Sequence, residues 1–371
     1  RNLSTVFNIN TANGNLLRSS ALIVAYENRR TRWNWGAEVG QVPYVIRRFG
    51  LEQDPVQGVF VETEVREWQV NRVANLGVSY PISRANRIEL SGGFQGIDFY
   101  NEVRTSIVSF SGTELDRNTE ELASPGSLNM GTASAALVYD NTIFGGTGPM
   151  LGQRYRLEAA PRVGDLNYVT ATVDFRKYMM WVRPTTFAFR LLHFGRYGSD
   201  AEATWGDIRD EPVEGYENLR VLNDLYIGYP SIMRGFNDGS FSAQECAASV
   251  VSSCDVFNNL FGTRFITANF EYRIPLLGFF GVVPSAGAPP VDIAPFFDVG
   301  VAWRDGVTPR LDCNASSGQF ILQNCSEVVS SIGIAGRLNL LGFMILELDF
   351  VNPITRPDKG WYFQFSLLPA F

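Results

Sequence analysis

Long apolar runs are missing from this chain. Its 371 residues contain no stretch of about eighteen uninterrupted apolar residues, the length that a membrane-spanning helix requires. This argues against transmembrane helices but not against transmembrane strands, which need only about 9–11 alternating residues. Charge is also sparse, because charged residues make up 19% of the sequence and the net charge is −7. Phosphate binding needs a basic patch, so we expect no nucleic-acid partner.

Histidine is almost absent, and His193 is the only one. A hydrolytic site would need a Ser/His/acid grouping, and a zinc site would need several ligands at a suitable spacing. We therefore expect no enzyme, no metal and no cofactor, and we place His193 at the rim of the fold, near the outer end of a strand. A hydrolase barrel is the most distant alternative.

Aromatic residues are abundant at 13%, and there are 35 glycines. The C-terminal segment 360–371 alternates between two kinds of residue. One set is Trp361, Phe363, Phe365, Leu367 and Phe371, and the other is Tyr362, Gln364, Ser366 and Ala370. Alternate residues of a strand face opposite sides, so this segment predicts a strand with one apolar face. An apolar row that ends in a C-terminal aromatic such as Phe371 is typical of the closing strand of an outer-membrane β-barrel. A half-buried strand of a soluble sandwich is the alternative.

Fourteen segments are predicted as strands, with ends good to about two to four residues. They are 3–10, 16–28, 32–47, 60–82, 86–110, 130–140, 151–163, 165–181, 185–197, 263–275, 291–303, 329–340, 343–353 and 360–371. Many of the later strands carry charges on the polar face and only apolar or aromatic residues on the other, which favours a wide barrel with a wet interior. The predicted fold is all-β: a single antiparallel transmembrane β-barrel domain over residues 1–371, with about fourteen strands in this chain.

The connections between these strands alternate between short and long. The long ones are 48–59, 111–129, 198–262, 304–328 and 354–359. If the C-terminus is periplasmic, the long loops lie outside and the short turns inside, as in outer-membrane barrels. The connection 198–262 is too long to be structureless in a compact domain unless the loop is functional.

Four cysteines fall into two close pairs, which this topology places in outer loops. Four cysteines allow three connectivities, and pairing between sequence neighbours closes small loops. We predict the disulfides Cys246–Cys254 and Cys313–Cys325, which imply an oxidising compartment. The alternative is four unrelated thiols.

The long connection contains the segment Gly228-Tyr-Pro-Ser-Ile-Met-Arg-Gly-Phe236. It resembles the Arg-Gly-aromatic signature of the bacterial surface antigen superfamily, which includes BamA- and TamA-like barrel-assembly factors and two-partner secretion translocators. Three further segments resemble the family in the same order along the chain. They are the turn Asp140–Arg154, the strand motif Ala294–Trp303 and the terminal aromatic Phe371.

The resemblance implies that the connection 198–262 folds back into the barrel with Arg234, Gly235 and Phe236 at its tip. In the family the arginine contacts an acidic residue of the thirteenth strand, and that role passes to Asp298, which lies on the polar face of its strand. A guanidinium can bond a carboxylate bidentately and always carries its charge.

Strand parity alone adds two candidate lumen partners for the arginine, Glu347 and Asp349. The alternative is that both are ordinary charges of the lumen wall.

The chain differs from the family in strand number, because family barrels have about sixteen strands. Counting back from the long loop makes the segment 3–10 the third strand, so we expect a sixteen-strand barrel that lacks its first hairpin in this chain. A fourteen-strand barrel closed by its own first strand is the alternative.

The resemblance implies an outer-membrane barrel that inserts or translocates proteins by strand pairing at a seam and does no covalent chemistry. The expected location is the bacterial outer membrane. The expected partners are outer-membrane lipid, client outer-membrane proteins, and accessory periplasmic or lipoprotein subunits. The alternatives are a passive barrel that anchors an N-terminal enzymatic or propeller domain, and a transport porin.

Overall fold

Fourteen antiparallel strands follow one another in chain order around one sheet. They are β1 (Asn2–Asn8), β2 (Ala21–Asn28), β3 (Asn34–Asp54), β4 (Val59–Pro81), β5 (Asn86–Ser109), β6 (Ser127–Asp140), β7 (Pro149–Gly164), β8 (Tyr168–Met179), β9 (Thr186–Tyr197), β10 (Arg264–Pro275), β11 (Val291–Trp303), β12 (Val329–Leu340), β13 (Met344–Pro353) and β14 (Tyr362–Pro369). This computed structural model describes residues 2–8, 20–54, 59–242, 245, 255–281, 289–311, 325–340, 342–356 and 358–369. The prediction of an antiparallel all-β barrel fold with about fourteen strands is confirmed.

The first and last strands are the two ends of this sheet. Within the described part of the chain, β1 pairs with β2 and β14 pairs with β13, and no ladder joins β1 to β14. The fourteen-strand barrel closed by its own first strand is therefore not formed by these residues.

The two faces of the sheet differ as the alternation predicts. On β11 the side chain of Asp298 is 0% exposed and that of its neighbour Phe297 is 38% exposed. On β14 the outer residues Phe363 and Phe365 are 68% and 59% exposed, whereas Gln364 between them is buried. A continuous apolar outer face of this kind is what a barrel wall presents to lipid. The inner face carries the polar residues that the long connection contacts.

Strands β3, β4 and β5 are 21, 23 and 24 residues long. The predicted loop 48–59 is therefore wrong in most of its length, because β3 and β4 stay paired up to the pair Asp54–Val59. Residues 47–53 of β3 are all exposed, so this part of β3 has no buried face and gives no alternating signal.

The predicted loop 111–129 also contains a strand. Glu114–Leu122 pairs with β5, and all nine of its residues are exposed. Main-chain pairing rather than burial holds this strand in place, so its polar sequence does not alternate.

The remaining elements are short. They are the strands Ile143–Phe144, Leu225–Tyr226, Phe261–Gly262, Thr308–Arg310 and Cys325–Glu327, the α-helices Trp205–Ile208, Asp255–Asn258 and Leu276–Phe279, and the 3-10 helix Asp238–Ser240. No helix in the described ranges has the length and apolar character needed to cross a membrane.

Cys325 is disulfide-bonded. Cys246, Cys254 and Cys313 lie outside the described residues, and so does Phe371. The two cysteine pairings and the terminal aromatic signal therefore stay predictions.

Candidate functional site

The connection between β9 and β10 packs against the inner face of the sheet. Its residues Ile227, Met233 and Phe236 are 0% exposed and form one apolar cluster with inner residues of four strands. Those inner residues are Leu192, Phe265, Ala302 and Val329. Burial of these apolar side chains holds the connection against the wall, each full burial being worth about 1.5–3 kcal/mol.

The tip of the connection places a glycine where a side chain would not fit. Gly235 has φ +90°, a region that residues with a Cβ rarely adopt. A Cβ built there would lie 3.0 Å from Val351 Cγ2 and 3.3 Å from Ser331 Cβ. Glycine therefore lets the tip turn in contact with β12 and β13.

Arg234 lies against Asp298 of β11. Its Nε and Nη2 donate to the two carboxylate oxygens of Asp298 over 2.8 and 2.7 Å, a bidentate pair. Its guanidinium also stacks over the ring of Phe296 at 3.6 Å from the centroid, a cation–π contact. Arg234 is 4% exposed and Asp298 is 0% exposed, so both charges are removed from water together.

A second carboxylate shares the guanidinium. Arg234 Nη1 donates to Glu271 of β10 over 2.8 Å, and the same carboxylate accepts from Arg337 of β12 and Arg273 of β10. Arg337 also donates through Nε to Glu347 over 2.6 Å. Polar residues of the four strands β10 to β13 and of the loop therefore form one connected network inside the barrel.

Glu347 and Asp349, the two candidate partners of Arg234 that strand parity indicated, differ in their contacts. Glu347 lies 3.8 Å from Arg234 Nη1, within ion-pair distance, and pairs mainly with Arg337. Asp349 is 0% exposed, and neither of its carboxylate oxygens has a hydrogen-bond partner among the described residues. Directly opposite in register lies Gln364, whose Nε2 is likewise without a partner there.

The edge strand β14 is tied to the tip of the loop. The backbone N–H of Gly235 donates to Gln364 Oε1 over 3.1 Å, and Ser331 Oγ donates to the carbonyl oxygen of Arg234 over 2.7 Å. Tyr362 OH donates to Asn237 Oδ1 over 3.2 Å. The loop thus contacts every strand from β10 to β14 at this level.

Arg356 is a second buried arginine at this site, and sequence reasoning missed it. It lies in the connection between β13 and β14, is 1% exposed, and donates through Nη1 to the carbonyl oxygen of Gly235 over 2.8 Å. It also bonds Glu245 and Ser240 and stacks over the ring of Phe241 at 3.7 Å from the centroid. Arg356 therefore holds the loop just beyond the Arg-Gly-Phe segment.

Glu245 is the carboxylate partner of Arg356. Burial opposes ionisation of Glu245, but the hydrogen bond from the backbone N–H of Ser242 and the charge of Arg356 outweigh it, so its pKa lies below the ordinary value. The ion pair is therefore present at neutral pH.

His193 is used structurally. Its Nδ1 lies 2.8 Å from the carbonyl oxygen of Phe265, and its Nε2 lies 2.8 Å from Tyr197 OH. The ring also stacks on Trp303 with centroids 6.1 Å apart. Within the described ranges, no group of three or more His, Cys, Asp or Glu residues is arranged to hold a metal ion.

Comparisons with known proteins agree with this geometry. A family model described as the Omp85 superfamily domain matches residues 69–367. The crystal structure of BamA from Haemophilus ducreyi lacking POTRA domains 1–3 is similar over 99% of this chain and 75% of that chain, with 12% sequence identity and a TM-score of 0.52. The resemblance to BamA- and TamA-like barrels is thereby confirmed. At this identity the structural likeness establishes the fold alone.

A second solved structure, CdiB from Acinetobacter baumannii, matches 99% of this chain and 53% of that chain with 13% identity. Its TM-score of 0.45 is too low to carry a structural argument. No curated protein matches the chain.

Proposed function

The chain belongs to the Omp85 superfamily, and we propose that it is a bacterial outer-membrane barrel that assembles or translocates other proteins by strand pairing. The single observation that supports this most directly is the edge of β14, which carries a ladder to β13 on one side and no ladder to β1 among the described residues. An edge strand with unpaired backbone N–H and C=O groups is a template for another strand.

The Arg234 site supplies what such an edge needs, which is a fixed position. Gly235 is bonded to Gln364 of β14 while Arg234 is bonded to Asp298 of β11, so one loop holds the edge strand relative to the strand three places away. We infer that the loop keeps β14 in a pairing-competent register. The partners in this proposal are outer-membrane lipid around the apolar face and client outer-membrane proteins at the edge, with accessory periplasmic or lipoprotein subunits.

A wide diffusion pore is disfavoured by the same loop, because it fills the lumen side of β9–β12 with buried apolar residues. A passive anchor for another domain is the competing function, and it needs no client contact at β14.

Site-specific photo-crosslinking distinguishes these functions. A variant with a photoreactive residue in place of Phe365 of β14 is reconstituted into proteoliposomes. Crosslinking is then triggered while an unfolded outer-membrane client folds into these membranes. The control position is Ile334 of β12, an outer residue of similar exposure, 48% against 59%. We expect client crosslinks at position 365, none at 334, and faster client folding than in empty liposomes. A passive anchor would give no crosslink at either position and no acceleration.

A further inference from the structure

The connection between β6 and β7 reaches across the sheet rather than turning back at once. Thr147 Oγ1 donates to Asp292 of β11, and Asn339 Nδ2 of β12 donates to the carbonyl oxygen of Gly146. In the order of the sheet, β11 and β12 lie four and five strands beyond β7. Residues 141–150, which are this connection and the first two residues of β7, are here called the strap, and they cross the mouth of the barrel at the end where the short turns lie.

The strap is fitted closely against the far wall. A Cβ on Gly146 would lie 2.5 Å from Pro290 Cβ, so only glycine allows this approach. Thr186 Oγ1 of β9 donates to the carbonyl oxygen of Met150 over 3.2 Å, and Arg273 Nη1 donates to that of Pro149 over 3.1 Å. The strap is thus bonded to each of the strands β9 to β12.

A chain of hydrogen bonds joins the strap to the loop tip. Arg234 donates to Glu271 over 2.8 Å, Arg273 Nε donates to the other oxygen of Glu271 over 2.8 Å, and Arg273 Nη1 donates to Pro149. A cavity of about 490 Å³ lies beside the loop tip, lined by loop residues Pro230–Ile232 and Arg234 and by Glu271 and Arg273 of the wall. Arg273 therefore bonds the strap directly and is linked through Glu271 to Arg234 at the loop tip.

We propose that the strap is a second closure of the barrel, on the periplasmic side, and that Glu271 and Arg273 couple its release to release of the Arg234 loop. Breaking the Arg234 contacts leaves Glu271 with fewer donors, so its carboxylate moves toward its remaining partners Arg337 and Arg273, and the accompanying shift of the Arg273 guanidinium weakens its bond to the strap. A coupling of this kind requires an element with two arrangements that both ends bias, and the strap is that element. The proposal rests on the transmembrane barrel of the proposed function but not on any client.

Conductance of the purified protein in planar lipid bilayers tests the closure. In the double variant Thr147→Cys and Asp292→Cys, an oxidised crosslink holds the strap shut, and reductant releases it in the same folded channels. We expect several-fold more frequent openings after reduction. The matched control is Ser91→Cys with Ser134→Cys, a crosslink between adjacent strands of the wall whose hydroxyl oxygens lie 2.6 Å apart. If reductant leaves the strap variant unchanged, or changes the control equally, the closure is refuted.

A variant without introduced cysteines provides an independent measurement. Thr147→Val with Asn339→Ala removes both far-wall bonds, and we expect it to open several-fold more often than the wild type. Equal opening frequencies overturn the proposal.

Hydrogen–deuterium exchange tests the coupling. In Arg234→Ala, amides of residues 141–150 should exchange several-fold faster than in the wild type, although position 234 does not contact the strap. Unchanged exchange there would show that the loop and the strap are independent. Neither measurement uses a client, so their outcomes are distinct from failure of the strand-pairing function.

Discussion

Gln364 of the edge strand accepts a hydrogen bond from the backbone N–H of Gly235, which lies 129 positions earlier in the chain. Replacement of Gln364 by Leu leaves that buried N–H without an acceptor, at a cost of about 1–3 kcal/mol. We expect a lower unfolding midpoint in detergent and faster amide exchange in β14. Ser366→Ala, on the same face of the same strand, is the control. Equal effects of the two substitutions would show that the Gln364 bond does not hold the strand.

Loss of the Arg234–Asp298 pair should loosen the loop. Arg234→Ala leaves the buried carboxylate of Asp298 without its cationic partner. Removing one partner of a fully buried ion pair lowers the free energy of unfolding by about 3–5 kcal/mol, and by less where water reaches the lumen. We expect faster proteolysis near 230–260 and a strong coupling energy in a double-mutant cycle with Asp298→Ala. Arg234→Lys keeps the charge but loses the bidentate geometry and should be intermediate. If the effects of the two single substitutions are additive, Arg234 and Asp298 do not form a coupled ion pair.

Glu347 and Asp349 should respond differently to neutralisation. Glu347→Gln weakens the 2.6 Å bond from Arg337 and should cost about 1.5–3 kcal/mol, the worth of a hydrogen bond to a charged group. Asp349→Asn removes a buried carboxyl group that accepts no hydrogen bond among the described residues, so stability should stay level or rise, because burying such a polar group without a hydrogen bond is costly. Urea unfolding in detergent compares them directly. If Asp349→Asn is as destabilising as Glu347→Gln, the two carboxyl groups do not differ in their contribution to stability.

The Arg356 contact should be lost in acid. The pKa of Glu245 is lower in the folded protein than its ordinary value of 4.5, so its stabilising effect is complete above pH 4.5 and is lost as the pH falls through the folded pKa. We expect proteolysis near 235–245 by an acid-active protease to accelerate below about pH 4.5. In Glu245→Gln, cleavage should already be fast at neutral pH and should vary less with pH. A wild-type profile that is flat down to pH 3 would exclude Glu245 as the titrating group.

Mass mapping without reductant tests the cysteine pairing. Cys325 is disulfide-bonded, and we expect peptides that link Cys313 to Cys325 and Cys246 to Cys254. A crossed pairing, for instance Cys254 with Cys325, would refute the local arrangement.

The family resemblance pointed to Arg234, Gly235, Phe236 and Asp298, strand alternation added Glu347 and Asp349, and both missed other residues of the site for a physical reason. Asp298 was named as the partner of Arg234 through the family resemblance, and a period of two independently places its side chain on the polar face of its strand. Glu271 and Arg337 share the polar faces of their strands, but parity does not give the height along the barrel, which depends on register across β10–β12. That register sets which inner residues meet Arg234.

Arg356 gave no sequence signal at all. Its connection has no periodicity, and its side chain is buried only because the loop beyond Gly235 returns to that point. The upper part of β3 was missed for the opposite reason: residues 47–53 are all exposed, and a strand segment without a buried face does not alternate.

The length of β3 to β5 has a consequence for what other molecules meet first. β3 continues for thirteen residues past Gln41, its last pairing position with β2, up to Asp54. At about 3.3 Å per residue that is roughly 40 Å of sheet. If the long connections face outward, this sheet stands above the lipid surface as a wall that is exposed to antibodies or phage. Substitutions along it would then change the antigenic appearance of the cell without altering the interior.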